Sequence, residues 1–305
     1  MSSLKSLVVF ASGVALAACS GAAGTPSNDA DSGIPVVAST NVYGDIAEVI
    51  GGDLVRVTSI IDNPSADPEE YEATPRDAAA VAEADLVIVN GGGYDPFLMP
   101  LIETAGGERE VLVVTDVSGL QPTDPAETEF NEHVWFSLPA MTELADRIAE
   151  TLSGISSPDA ETFVANAAAF KADLEPLQAR VASIKSEHGG AQVAATEPLP
   201  LYLLADAGLD NVTPEAFMEA SEEGSDAPAA VVQQALELLD GGAVKALLLN
   251  TQTQTPATDR MQQAADDAGV AVLEVNETLP DGSNGYVDWM GEQIDGLATA
   301  LDQSR

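Results

Sequence analysis

Two histidines and one cysteine are all the imidazole and thiol chemistry in this chain. His133 lies in Asn131-Glu132-His133-Val134-Trp135, between an acidic stretch and a predicted helix. A lone histidine there is either a ligand or a satisfied side chain, and the residue by itself leaves both open. His188 closes a long predicted helix, where a cation suits the negative end of the backbone dipole, and is read as structural. The other polar cluster is Asp67-Pro68-Glu69-Glu70-Tyr71-Glu72-Ala73-Thr74-Pro75, in a loop after a predicted strand. Motifs for common catalysis are missing: the sequence has no Gly-x-Ser-x-Gly elbow, no Gly-x-x-x-x-Gly-Lys loop and no His-Glu-x-x-His helix. The triple glycine at Gly91 reads as a tight turn from strand to helix.

The elements that must position these residues alternate between strand and helix. Apolar runs at Ile34 to Ser39, Leu54 to Ile61, Leu86 to Asn90 and Val111 to Thr115 predict strands, separated by helical stretches. A second series follows, with strands at Ala191 to Ala195, Val244 to Asn250 and Val270 to Val275. Such alternation predicts an α/β fold with mostly parallel sheets covered on both faces. Between the two series, Pro158 to His188 reads as one helix. Phe163, Phe170, Leu174, Leu177, Val181 and Ile184 form its apolar stripe, with Ser157 as N-cap and Gly189-Gly190 as the stop. At ~1.5 Å per residue it is roughly 45 Å long. Pro176 is expected to kink it near Ala172 to Leu177. We read two lobes, 34–157 and 189–305, joined by this linking helix at 158–188, with the alternative of a long helix packed on one domain.

Lys and Arg total 11 against 50 Asp and Glu, a formal charge of −39. That balance argues against nucleic-acid binding and resembles the acidic surfaces of halophile proteins. One cysteine excludes an internal disulfide. Its place explains it: Lys5 precedes an apolar run, Leu7 to Ala18, too short to span a bilayer and suited to a signal-peptide core. The ending Leu16-Ala17-Ala18-Cys19 resembles a bacterial lipobox, whose cysteine is lipidated. The alternative is a signal peptide cut at an ordinary small-residue site. Residues 1–18 are thus expected to be a signal peptide and 19–33 a lipidated tether, with the protein at the outer face of the cytoplasmic membrane or in the periplasm.

The Asp67 to Pro75 loop, the Asn131 to Trp135 run and the central helix together resemble the metal-binding subunits of bacterial ABC importers for zinc and manganese. The resemblance covers about Ile34 to Leu301. In that family the first loop usually reads Asp-Pro-His-x-Tyr-Glu-x-Thr-Pro, and Glu69 stands where its metal-binding histidine would be. The second motif, Asn-Pro-His-Val-Trp, keeps its histidine as His133, with Glu132 in place of the proline. By position, the third and fourth ligands fall on Glu197 and Glu277. Each of Glu69, Glu197 and Glu277 follows a predicted strand at its carboxyl end, where open parallel sheets bind ligands.

The resemblance implies a solute-binding lipoprotein, not an enzyme, that captures manganese or zinc between two lobes. It would pass the ion to an ABC permease and its ATPase. A strut between lobes implies small hinge motion on release, and a monomer is expected. One imidazole with three carboxylates is a harder set than several histidines and suits manganese or ferrous iron, though zinc also accepts carboxylates. The histidine-rich loop of many zinc members is missing from Val117 to Glu132. Loss of the site along with the histidine is a further reading. Rival functions are a binding protein for an organic solute or metal chelate, and an extracytoplasmic carboxylate-based enzyme.

Overall fold

A computed structural model describes residues 33–64, 66–121 and 130–303. The expected signal segment, Cys19 and nearly all of the tether lie outside the described residues, as does 122–129 of the acidic loop.

The first series runs β1 (Ile34–Thr40), α1 (Asn41–Gly51), β2 (Val55–Ile61), α2 (Pro75–Glu83), β3 (Leu86–Val89), α3 (Leu98–Ala105), β4 (Glu110–Val113) and α4 (Val114–Ser118). Its strands form one sheet in the order β2-β1-β3-β4, every pair parallel. Alternation along the strands explains the apolar runs. Val36, Ala38, Leu86 and Ile88 join one core, and Val37, Val87 and Val89 join another on the opposite face. The fourth strand is shorter than its apolar run, because Val114 and Thr115 open a helix instead.

Two helices then cross the molecule, α5 (Leu138–Ile155) and α6 (Ala160–His188). The stripe of α6 is buried as its spacing predicts: Phe163, Phe170, Leu174, Leu177, Val181 and Ile184, with Ala167. A short 3-10 turn over Ser157–Asp159 precedes it, so the cap differs from the one the sequence predicts. Ser156 Oγ donates to Asp159 Oδ2 at 2.6 Å across that turn. The helix runs unbroken past Pro176. Both Pro176 and Ala172, whose carbonyl loses its usual donor there, are exposed, so water can satisfy the freed group.

The second series is β5 (Gln192–Ala195), α7 (Leu201–Asp206), β6 (Asp210–Asn211), α8 (Glu215–Glu222), α9 (Ala229–Asp240), β7 (Val244–Asn250), α10 (Pro256–Ala268), β8 (Ala271–Val275) and α11 (Tyr286–Gln303). The sheet order β6-β5-β7-β8 repeats that of the first, again all parallel. The sequence reading leaves β6 and α8 unassigned; β6 is two residues long and α8 two turns. One apolar core includes Val36 and Ile88 of the first sheet, the stripe of α6, and Val193 and Leu248 of the second. The linking helix is therefore an integral wall of both lobes.

Candidate metal centre

Glu69 sits on a loop that is pinned at both ends. Asp67 Oδ1 accepts from the Glu69 backbone N–H at 2.9 Å. Downstream, Asp77 Oδ2 accepts from the Thr74 N–H at 2.7 Å and from the Tyr71 hydroxyl at 3.0 Å, and Thr74 caps α2 in a capping box. Tyr71 also packs on Phe97 with ring centroids 4.8 Å apart. So Tyr71, Thr74 and Pro75 of the loop motif hold the backbone, leaving Glu69 half-buried and Glu70 exposed.

His133 follows an irregular segment, 130–132, that packs against the triple-glycine turn. Gly91 and Gly92 have φ of 80° and 73°, and a Cβ on Gly92 would come within 2.9 Å of the Phe130 ring. Asp95 accepts from the backbone N–H groups of Asn90 and Gly91 at 2.6 and 2.9 Å, which fixes that turn. Asn90 Nδ2 in turn donates to the Glu132 carbonyl at 3.1 Å. Asn131 does two things. Its Nδ2 donates across to the Pro198 carbonyl of the second lobe at 3.0 Å, and its Oδ1 accepts from His133 Nδ1 at 2.8 Å. With Nδ1 carrying the proton, Nε2 is left with its lone pair for a ligand. His133 is 2% exposed, between Tyr94 and Trp135. Burial lowers its pKa to about 3, so the ring stays neutral, the form that binds metal.

The second lobe contributes carboxylates. Glu197 follows β5 and Glu277 follows β8, and both are buried. Asn250, the last residue of β7, bridges them: its Nδ2 donates to Glu197 Oε2, and to Glu277 Oε1 at 2.8 Å. The Thr253 hydroxyl donates to Glu197 Oε1, and the Tyr94 hydroxyl from the first lobe reaches Glu277 Oε2 at 3.3 Å.

The residues singled out in the sequence are thus gathered in two groups. Glu69 and His133 have ligand atoms within 4.8 Å of each other, and the third member of their group is Glu222, at the end of α8. Glu197 and Glu277 lie outside that triad, paired through Asn250; their charges act on Glu222, and the charge of Glu69 acts on Glu277. Glu222 Oε1 is 3.5 Å from His133 Nε2. Because the ring is neutral, this approach is not an ion pair.

The four glutamates oppose one another. Burial first, then the charges of Glu132, Asp67 and Glu197, raise Glu69 to about 8. Burial raises Glu197 to about 7, against the hydrogen bonds from Thr253 and Asn250. Burial and then the charges of Glu132, Glu69 and Glu197 lift Glu222 to about 9, and burial with Glu197 lifts Glu277 to about 8. In an ion-free site these carboxylates hold protons that a divalent cation would displace. A neutral imidazole nitrogen facing carboxylate oxygens has the donor chemistry for a transition metal. At the outer edge, a cleft of about 690 Å³ is lined by Glu69, Phe130, Glu132, Tyr202, Glu215, Glu219 and Glu222.

The sequence reading misses Glu222, Asn250 and Tyr94. The signal for Glu222 was faint: Pro214-Glu215 suits a helix start and Phe217, Met218 and Ser221 share a buried face, but its acids read as solvated surface.

The profile of the family described as "ZnuA: Zinc-uptake complex component A periplasmic" matches residues 36–300. The chain is similar to the manganese-binding lipoprotein MntA of Halalkalibacterium halodurans, 26% identical over 98% of both chains. It is 27% identical to the manganese-binding lipoprotein MntA of Bacillus subtilis, over 95% of this chain and 91% of that one. The fold is that of the periplasmic zinc-binding protein TroA of Treponema pallidum, with a TM-score of 0.72 at 20% identity, over 87% of this chain and 98% of that one. With a profile match over nearly its whole described length and the two-sheet fold around α6, the chain belongs to the ZnuA family of zinc-uptake component A proteins.

Proposed function

We propose that this chain is the solute-binding lipoprotein of an ABC importer for a divalent transition metal, manganese or zinc. Glu69 and His133 from the first lobe and Glu197 and Glu277 from the second hold the ion between them. The observation that carries this reading is His133: a buried, neutral imidazole whose Nδ1 is fixed by Asn131 and whose ring is clustered with a carboxylate from each lobe, Glu69 and Glu222. The chain binds and releases its cargo without turning it over. A permease with its ATPase receives the ion, and a lipid on Cys19 keeps the protein, as a monomer, at the membrane surface. No helix among the described residues is long and apolar enough to cross a membrane. Manganese and zinc name one ligand chemistry, and competition between them decides the cargo.

The test is elemental analysis and calorimetric titration of the purified mature chain. One equivalent of manganese or zinc per chain is expected, and His133→Ala should lose tight binding while keeping the wild-type circular dichroism. Metal-free protein that carries a small organic molecule, or an unaltered affinity in His133→Ala, overturns the reading.

A further inference from the structure

We propose that Glu222 is a direct metal ligand, so that α8 adds a carboxylate to the four-residue set and biases the site toward an ion with a larger, oxygen-rich shell. This rests on the reading above and extends it to a residue that neither family motif contains.

Three observations place Glu222 in this role. Its carboxylate oxygen lies within 4.8 Å of a carboxylate oxygen of Glu69 and a ring nitrogen of His133, which brings a residue of the second lobe to the two motif residues of the first. It stands 3.5 Å from His133 Nε2, the nitrogen whose lone pair Asn131 leaves open; that ring is 2% exposed, so the nitrogen points into the cluster and not to bulk water. Finally, Glu222 Oε1 is itself buried and has no hydrogen-bond partner. The contrast with the neighbouring acids is sharp: Asn250, Thr253 and Tyr94 serve Glu197 and Glu277. A buried carboxylate oxygen without a donor is costly unless something else satisfies it. A cation between Glu69, His133 and Glu222 would do so.

The consequence is selectivity. Zinc is content with four ligands, whereas manganese favours six oxygen-rich positions. A further oxygen donor therefore helps manganese more than zinc. A nearby negative charge that merely attracts cations would help both alike.

The experiment compares wild type, Glu222→Gln, Glu222→Ala and Glu219→Gln. Glu219 lines the same cleft one turn earlier on α8 and controls for charge. Competitive titration with Mn²⁺ and Zn²⁺ gives both affinities, and X-ray absorption of the manganese-loaded protein counts its oxygen and nitrogen neighbours. Both Glu222 variants should lose about tenfold or more in manganese affinity, with a clearly smaller loss for zinc and fewer light-atom neighbours around manganese. Glu219→Gln should lower both affinities slightly and in parallel. Metal-free Glu222→Gln should melt no lower than wild type, which separates lost ligation from lost folding. Equal effects of Glu222→Gln and Glu219→Gln, or an unchanged manganese shell, overturn the role of Glu222 and leave the four-residue site standing. Absence of stoichiometric metal in the wild type overturns both.

Discussion

Asn250 offers the most direct test of how the two buried carboxylates are tolerated. It is 1% exposed, and one amide nitrogen serves Glu197, Glu277 and the Thr253 hydroxyl, which lies 2.9 Å away. An amide has two hydrogens, so three acceptors share two bonds. The perturbation is Asn250→Ala. A hydrogen bond to an ionised group contributes about 1.5–3 kcal/mol, so losing two costs about 3–6 kcal/mol where the glutamates are charged. Against a typical total of about 5–15 kcal/mol, that is a large fraction. The assay is guanidinium unfolding at pH 8, metal-free and with saturating metal. The metal-free variant should show an unfolding free energy lowered by that amount, and a midpoint lowered by that amount divided by the slope, with the slope unchanged because the surface exposed on unfolding is the same. With metal present the loss should shrink, because the cation takes over part of the charge the amide was holding. A metal-free loss under about 1 kcal/mol would mean that Glu197 and Glu277 do not depend on this amide, and the account of the inner pair would be wrong.

Other outcomes follow from the same geometry. Glu69→His should raise zinc affinity relative to manganese, and Glu69→Ala should weaken both. The exposed Glu70→Ala should change neither, and competitive titration in which only Glu70→Ala matters would shift the loop assignment by one residue. Stability of the metal-free protein should fall as pH rises from about 6.5 to 9. Glu69, Glu197, Glu222 and Glu277 titrate in the folded state at about 7 to 9, above their ordinary value of 4.5, so their contribution is complete below 4.5, declines as pH rises above it, and is gone once the last of them has titrated. His133, lowered to about 3, works in the opposite sense but only below its ordinary 6.5. Scanning calorimetry at the two pH values checks this; a metal-free melting temperature that holds or rises would refute it, and saturating metal should flatten the slope. Cys19→Ser should release the protein from the membrane fraction or leave it unprocessed, and a normally processed, membrane-bound variant would overturn the lipid anchor.

Periodicity made most of the scaffold legible. The stripe of α6 and the alternating faces of β1 and β3 are consequences of burial, and burial leaves an apolar signature in sequence. The Asn131 to Trp135 run and the Glu69 loop were legible for another reason, their resemblance to motifs of a known family, and in the structure their side chains anchor their own backbone. Tyr71 and Thr74 of that loop do so by bonding to Asp77, just beyond it. What stayed hidden has no local pattern. Asn250 acts on residues 53 and 27 positions away. Tyr94 meets a glutamate 183 positions away. Glu222 comes from a two-turn helix whose acids look like any solvated face in a chain of net charge −39. Spacing cannot reveal a partner that only the packing of two lobes brings near.

That packing also says what the cargo does for the protein. Glu69 and His133 belong to the first lobe, and Glu197, Glu222 and Glu277 to the second. Without an ion, burial and the neighbouring carboxyls keep protons on these glutamates, and any of them that ionises meets repulsion across the lobe interface. Cross-lobe bonds already hold part of it: Asn131 Nδ2 to the Pro198 carbonyl, the Tyr202 hydroxyl to the Asn131 carbonyl at 2.6 Å, and Gln252 Nε2 to the Pro64 carbonyl at 2.7 Å. A divalent cation would displace those protons and let carboxylates of both lobes share one positive centre. Because α6 is packed into both lobes, the response available is a small adjustment about a fixed strut.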